Sequence, residues 1–325
     1  MAMENLEQWT NFWLQGFPTS FAQVLPDSYI GATGNYWRSA VSSLNPGDKV
    51  LDIACGNGAV ALLIADEALK NGKELEIHAA DAAQIQPLST NKNPKQLKAL
   101  KKLRFHSKTP SENISSIGKN FNLITSQFGF EYSNTGKTAE NIYLTLDSGG
   151  IFKAICHKTN SKPYSDCTDE VAAYELSKNK LDIPHKIKSL LSEFENTQTS
   201  HQLELNLKRV ETQRKLGVLI SSIESLIATH PRAAITAFIR NSTEAFLQRK
   251  LLSGKETKSQ FVDFLETELK HAGRRSKDQL NAALSKEDIE KLLSKFSDLG
   301  MKTITLEEFY EEELCTGWRI EIQKP

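Results

Sequence analysis

The sequence predicts an α/β fold: a doubly wound, mostly parallel seven-stranded sheet with a large all-helical insertion between the fifth and sixth strands. Three observations support this prediction. Short apolar runs alternate with helical patterns over residues 49–157, strand patterns are nearly missing from 158–299, and they return at 300–325. Strands that alternate with helices are typical of βαβ units, whose strands lie parallel in one sheet.

The helical pattern of residues 1–48 predicts an N-terminal helical cap. The segment is rich in aromatic residues, and Pro18 interrupts its helical pattern. Its aromatic side chains either pack against the sheet or cover a ligand. We favour packing for Trp9 and Trp13, whereas Tyr29 and Trp37 lie closest to the first strand and are candidates for a binding site.

Residues 49–157 contain the patterns of the first five strands. Each predicted strand is a short apolar run, as expected for a buried parallel sheet. The helical pattern at 59–72 ends at Gly72, and a second helix at 138–146 is closed by the turn residues 147–150. The strands are predicted at 49–54, 75–81, 103–107, 121–128 and 151–157.

Residues 158–299 predict helices only. Apolar residues three or four apart indicate a long amphipathic helix over 203–226, which ends before Pro231. Further helices are predicted at about 232–252, 257–273 and 285–298. Three roles stay open for this helical block: a lid over a small substrate, a dimerisation surface for a homodimer, or a docking surface for a macromolecule.

Bulk composition limits the function classes. The chain has 40 Lys and Arg against 40 Asp and Glu, which argues against nucleic acid as a partner. Its four cysteines are widely spaced, which favours reduced thiols and no metal site. We find no signal-peptide pattern and no apolar run of about 18 residues, so we expect a cytoplasmic protein without a membrane span.

The stretch VLDIACGNGAV at 50–60 predicts a ligand-binding turn after the first strand. Gly56 and Gly58 remove Cβ atoms, so that backbone N–H groups can approach a ligand. Read as GxGxxA with Asp81 ending the next strand, the turn fits a dinucleotide. Asp52 argues against that interpretation, because its carboxylate would repel a pyrophosphate but suits the cationic S-adenosylmethionine (SAM).

With Asp52 included, VLDIACGNG resembles the first motif of the class I SAM-dependent methyltransferases, with Ala54 in place of a glycine. HAAD at 78–81, FNLITSQFGFEYS at 121–133 and LDSGGIFKAI at 146–155 resemble further motifs of that family. Ser148 stands where a proline is usual. The resemblance covers roughly residues 30–157 and 300–325, and it implies a SAM-binding core at 49–157 that the terminal strands complete.

The resemblance also implies which residues bind SAM. The first motif would hold the methionine end of the cofactor, and Asp81 would hold the ribose. The loop after the third strand would frame the adenine, and the turn after the fourth strand would face the methyl group. The implied cofactor-binding residues are Asp52, Ala54, Gly56, Gly58, Asp81, Ala82, Ser111, Glu112, Gln127 and Phe128, with Tyr29 and Trp37 from the cap.

Three further residues are candidates for catalysis. Glu131, Tyr132 and His157 follow predicted strands, at the sheet edge where ligands bind in such folds. Each could orient or deprotonate an acceptor atom. The alternative is that they pack, cap a helix or form structural hydrogen bonds. Methyl transfer from SAM depends mostly on alignment of the reactants, so it does not require a strong base.

The sequence therefore predicts a SAM-dependent methyltransferase that acts on an oxygen or nitrogen of a small molecule. Three alternatives stay open. The chain could methylate protein or RNA through the helical block, it could bind SAM as a non-catalytic regulatory subunit, or it could be a nicotinamide-dependent oxidoreductase, which Asp52 argues against.

Overall fold

The fold is taken from a computed structural model that describes residues 6–21, 25, 27–91 and 93–325. Positions 1–5, 22–24 and 26 of the predicted cap lie outside the described residues. The chain divides into two units. The first comprises Met1–Tyr164 and Asp278–Pro325, and the second comprises Ser165–Lys277.

The first unit contains a seven-stranded sheet with the order β3-β2-β1-β4-β5-β7-β6. Strands β1 to β5 run parallel, and β7 pairs antiparallel with both β5 and β6. This arrangement confirms the predicted seven-stranded, mostly parallel α/β sheet. The strands are β1 (Lys49–Ile53), β2 (Glu76–Asp81), β3 (Arg104–Ser107), β4 (Phe121–Gln127), β5 (Leu146–Cys156), β6 (Lys302–Glu311) and β7 (Leu314–Gln323).

Helices pack on both faces of the sheet. On one face α3 buries a nearly continuous apolar surface against β1, and on the other Phe296 of α13 packs near Phe130 and Phe152. Apolar strands between two helical layers produce a core on each side of the sheet. The helices of this unit are α1 (Glu7–Leu14), α2 (Gly31–Ser39), α3 (Ala59–Lys70), α4 (Pro87–Thr90), α5 (Pro94–Leu100), α6 (Thr135–Thr145) and α13 (Lys286–Asp298).

The second unit is helical and has a core of its own. Leu190, Leu219, Ile239 and Leu265 are among its fully buried side chains. In chain order its helices fall between β5 and β6. The helices that enter or form this unit are α7 (Lys162–Glu175), α8 (Ile183–Ser192), α9 (Ser200–Leu207), α10 (Val210–Thr229), α11 (Ala234–Arg249) and α12 (Lys255–Ala282).

The predicted turn at 147–150 is wrong, because β5 already begins at Leu146. The reason is pairing with the end of the chain. Gly149 N–H donates to the Lys324 carbonyl, and Lys324 N–H donates to the Gly150 carbonyl, each at 3.0 Å. These long-range hydrogen bonds outweigh the local turn preference of an Asp-Ser-Gly-Gly sequence.

The single long helix predicted over 203–226 is also wrong. Two helices, α9 and α10, occupy this range, and Arg209 between them has an extended backbone with ψ 137°. Val210, which the pattern placed on the apolar face, is 87% exposed. The regular spacing of apolar residues continues unchanged across the break at Arg209, so this spacing alone could not locate the break.

Glu311, at the end of β6, caps the first turn of α2. Its carboxylate accepts hydrogen bonds from the N–H groups of Ala32 and Thr33, at 2.7 and 3.0 Å, and from the Thr33 hydroxyl at 2.9 Å. A helix N-terminus leaves N–H groups without intrahelical partners and favours negative charge. The contact therefore joins α2 to the edge of the sheet.

We expect Glu311→Ala to destabilise the protein by about 1–2 kcal/mol, because it leaves the N–H groups of α2 without their acceptor. Chemical denaturation of both proteins measures the change in the free energy of unfolding. Glu313→Ala, an exposed position on the same hairpin, is the control for lost charge. Equal stability of the two variants would contradict the capping role.

Candidate functional site

The candidate site lies where β1 and β4 are neighbours. The strand order reverses direction at this point, which opens a crevice at the carboxyl ends of the strands. A cavity of about 430 Å³ occupies it. Ten of the predicted residues line the cavity: Tyr29, Asp52, Ala54, Asp81, Ala82, Ser111, Glu112, Gln127, Phe128 and Tyr132.

Asp52 is the last residue but one of β1, and its side chain is buried, 1% exposed. One oxygen accepts the Thr125 hydroxyl of β4 at 2.9 Å, and the other accepts the N–H of Ala61 in α3 at 3.3 Å. Burial raises the pKa of Asp52 to about 7, and the charge of nearby Asp81 adds to this rise. Asp52 thus joins two strands and a helix while facing the cavity.

Asp81 holds the glycine turn against the end of β2. Its oxygens accept the N–H groups of Gly56 at 2.7 Å and Ala83 at 2.8 Å. Burial raises the pKa of Asp81 to about 6, although both hydrogen bonds favour the ionised form. Each oxygen keeps a further lone pair, with which a carboxylate can accept a ligand hydroxyl.

Aromatic rings pack directly against the glycine turn, which the sequence had not indicated. Gly56 and Gly58 both have left-handed backbones, with φ of 53° and 84°. A Cβ on Gly56 would lie 2.5 Å from the Trp13 ring, and one on Gly58 would lie 2.9 Å from Phe105. The missing Cβ atoms therefore leave room for the Trp13 and Phe105 side chains. Neither glycine lines the cavity.

Gln127 ends β4 on the cavity wall, and Trp37 lies behind it. Trp37 is fully buried and does not line the cavity. Its Nε1–H donates to Gln127 Oε1 at 2.6 Å. Trp37 thus fixes a wall residue, whereas the sequence had suggested that it covers the ligand itself.

The three catalytic candidates divide between the wall and the layer behind it. Tyr132 lines the cavity, and its ring meets those of His157 and Trp9 edge-on. Glu131 and His157 do not line the cavity. The Glu131 carboxylate accepts a hydrogen bond from the backbone N–H of His157 at 2.6 Å. Burial raises the pKa of Glu131 to about 7.

His157 is 3% exposed, and its ring stacks on Phe128 with centroids 4.5 Å apart. Burial lowers the pKa of His157 to about 3, so its ring is neutral at physiological pH. Its Nε2 has no hydrogen-bond partner among the described residues. The geometry therefore makes His157 a neutral support for the Phe128 and Tyr132 rings.

The cap contributes more of the wall than the sequence indicated. Trp9 and Trp13, for which packing alone was favoured, both line the cavity. Asn57 holds this part of the cap, since its Nδ2 donates to the carbonyls of Trp13 at 2.9 Å and Phe17 at 2.8 Å. The spacing of the two tryptophans on one helix face was the available signal.

Part of the cavity wall is polar. Ser111 is buried there, and Glu112 accepts the N–H of Asn134 at 2.6 Å. Asn113 and Lys137 also line the cavity, and no sequence motif had marked them. Such side chains can bind the heteroatoms of a polar ring system. The cavity wall thus combines aromatic rings, polar side chains and two buried acids.

Part of the chain matches a known protein family. Residues 33–182 match the ubiE/COQ5 methyltransferase family. No curated protein matches the chain by sequence. Within the described residues, no group of three or more His, Cys, Asp or Glu side chains could hold a metal ion, and no helix is long and apolar enough to cross a membrane.

Solved structures similar to the chain are distant. A Methanococcus maripaludis protein assigned to the S-adenosyl-L-methionine-dependent methyltransferases is 13% identical, with 100% of this chain and 96% of that chain covered and a TM-score of 0.44. A Haemonchus contortus phosphoethanolamine N-methyltransferase is 13% identical, with coverages of 98% and 58% and a TM-score of 0.37.

A geranyl diphosphate methyltransferase is also similar, at 13% identity, with coverages of 38% of this chain and 44% of that chain and a TM-score of 0.32. The chain thus spans less than half of that enzyme's length. At these TM-scores the likenesses carry no argument about the acceptor.

We expect SAM to bind more weakly as the pH falls. Asp52 and Asp81 lose their charges as the pH falls through about 7 and about 6. A cationic ligand favours the ionised carboxylates, so affinity should drop by about tenfold per pH unit for each proton that binding must release. Calorimetric titration with SAM from about pH 8 to about pH 5 measures this slope.

Asp52→Asn is the matched variant, because it keeps the shape but removes one of the titrating groups. Both pKa values are raised above the ordinary value of 3.8. Without ligand, these acids therefore favour the folded state most at low pH, and that contribution is lost as the pH rises through about 6 to 7. A wild-type affinity that does not change with pH would contradict ionised acids at this site.

Proposed function

We propose that this chain is a class I SAM-dependent methyltransferase that moves a methyl group from SAM to an oxygen or nitrogen of a small-molecule acceptor. The observation that carries the proposal is the cavity at the β1–β4 crevice, whose wall combines two buried acids with aromatic rings and polar side chains. That combination suits a cationic cofactor with an attached nucleoside, next to an apolar acceptor.

The residues of the cavity fit SAM. Asp52 would attract the positive charges of the methionine end, and Asp81 would accept hydrogen bonds from the ribose hydroxyls. Ser111 and Glu112, which line the cavity, would frame the adenine. The volume of about 430 Å³ lies within the usual range of about 300–1,000 Å³ for small-molecule sites.

The chain has to supply alignment and exclusion of water. Bound SAM supplies an activated methyl group, which an acceptor displaces in line with the carbon–sulfur bond. Trp9, Trp13 and Phe128 form an apolar wall that excludes water and favours an apolar acceptor skeleton. Holding the acceptor atom at near-attack distance accounts for a large share of the acceleration.

We assign Tyr132 the contact with the acceptor, because it is the catalytic candidate that lines the cavity. His157 would position Tyr132 from behind through their ring contact. Glu131 would in turn hold His157 through the hydrogen bond from the His157 backbone N–H.

We further propose that the helical block is an insertion between the fifth and sixth strands of the methyltransferase fold. Its position in chain order between β5 and β6 supports this proposal. We favour a lid that shapes the acceptor pocket, with self-association as an additional role. The chain's balanced charge favours a small molecule over RNA as the acceptor.

We expect the wild type to bind SAM and S-adenosylhomocysteine but not NADH, and Asp81→Ala to weaken both adenosyl ligands by about tenfold or more, because a charged hydrogen-bond acceptor is lost. Isothermal titration calorimetry measures the Kd values. Asp147→Ala, an exposed position at the opposite strand end, is the control, and circular dichroism checks that each variant folds.

Acceptor class is tested by the release of S-adenosylhomocysteine from SAM. We expect turnover with simple phenols or amines and none with bulk RNA or a mixed peptide library. Turnover with RNA or peptides alone would support the docking alternative. Binding without turnover on any acceptor would favour the regulatory subunit, and failure to bind either adenosyl ligand would overturn the proposal.

A further inference from the structure

We infer that the carboxamide of Gln127, oriented by Trp37, binds the carboxylate at the methionine end of the cofactor. This inference rests on the proposed function and goes beyond it, because it assigns one chemical group of the ligand to one side chain. It also makes Trp37, which does not line the cavity, a positioning residue for cofactor binding.

The first step concerns the backbone donors of the glycine turn. An anionic carboxylate at a strand–helix turn is usually met by backbone N–H groups. Here the Cys55 N–H donates to the Ala80 carbonyl at 3.0 Å, and the Gly58 N–H donates to the Cys55 carbonyl at 2.9 Å. The Gly56 N–H donates to Asp81. Three N–H groups of the turn are therefore already used within the protein.

The second step is that Gln127 has an unused donor. Its side chain is 7% exposed and lines the cavity, and its Nε2 has no hydrogen-bond partner among the described residues. A buried amide nitrogen without a partner costs free energy, and native proteins rarely leave one without a reason. A ligand oxygen would satisfy it.

The third step is that Trp37 sets which way the amide faces. An indole N–H can only donate, so the atom at 2.6 Å from Trp37 Nε1 has to be the Gln127 oxygen. The NH₂ group is therefore the end of the amide that remains for a ligand. Because Trp37 is fully buried, the ring cannot easily turn away and release the amide.

The fourth step is location. Asp52 on β1 pairs with Thr125 on β4, and the residues two positions further along, Ala54 and Gln127, both line the cavity. Ala54 belongs to the motif that faces the methionine end. Lys137 also lines the cavity, three residues after Asn134, whose N–H donates to Glu112 in the loop proposed to frame the adenine.

Together these contacts predict selection for the cofactor's amino-acid portion. Asp52 would attract the ammonium group, and the Gln127 amide would donate to the carboxylate. Ligands that keep the carboxylate, such as S-adenosylhomocysteine, should bind more tightly because of the Gln127 amide. 5′-Methylthioadenosine, which lacks the amino-acid portion, should not.

The test is Gln127→Glu, which keeps the size of the side chain and an oxygen for Trp37 but replaces the NH₂ donor with an acceptor. Calorimetry gives the Kd of S-adenosylhomocysteine and of 5′-methylthioadenosine for each protein. We expect the first Kd to rise by about tenfold or more and the second to change by less than about twofold. Gln127→Leu, which removes the donor without adding charge, should behave similarly.

Trp37→Phe tests the positioning role. It keeps a buried ring but removes the N–H, so the amide can turn, and we expect a loss of a few-fold for S-adenosylhomocysteine alone. Unchanged binding of S-adenosylhomocysteine by both Gln127 variants would overturn the inference, as would an equal loss for both ligands. A wild type that binds neither ligand would instead refute the proposed function.

Discussion

The structure of the site depends on two buried carboxylates that are stabilised by hydrogen bonds and form no ion pair with the part of the chain that the structure describes. Asp52 and Asp81 lie at the ends of neighbouring strands, and each accepts two hydrogen bonds from the surrounding protein. Burying a carboxylate without a counter-charge is costly, and the raised pKa values of both residues express that cost. A cationic ligand would relieve it, so ligand affinity and the instability of the empty site have the same physical origin.

The hydrogen bonds of these acids also build the site. Asp81 draws the glycine turn onto the end of β2, and Asp52 connects β1 to β4 and to α3. The turn then lies under Trp13, while Asn57 holds the backbone of the cap by two carbonyls. The same residues that form a sequence motif therefore position a helix that is distant in sequence, and the aromatic wall of the cavity follows from that placement.

Much of the sheet could be predicted from sequence because each strand is a local apolar run with a clear boundary. The buried run at 49–53 and the run at 121–127 are of this kind. The start of β5 could not be predicted, because Gly149 and Gly150 pair with Lys324, which is distant in sequence. The break at Arg209 was missed for another reason, since apolar spacing is the same on both sides of it.

In the site, too, features with a local sequence signal could be predicted, and features that depend on long-range contacts could not. Asp52 and Asp81 could be found from sequence, because an acid at the end of a buried strand is locally conspicuous. The role of Trp37 could not, because it depends on a contact with Gln127 that is 90 residues away. Sequence reasoning identifies chemistry that a single strand end carries, but it does not show which side chain stands behind another.

The cap is held at the aromatic part of the cavity wall by residues that are distant in sequence. Gln8 and Trp9 of α1 donate to Asp278 at 2.7 and 3.0 Å. Asn57 donates to the carbonyl of Trp13 in α1 and to that of Phe17, just beyond the helix. A ligand that displaced α1 would have to break these hydrogen bonds, so the position of Trp9 and Trp13 in the wall is set by contacts that their own segment does not contain.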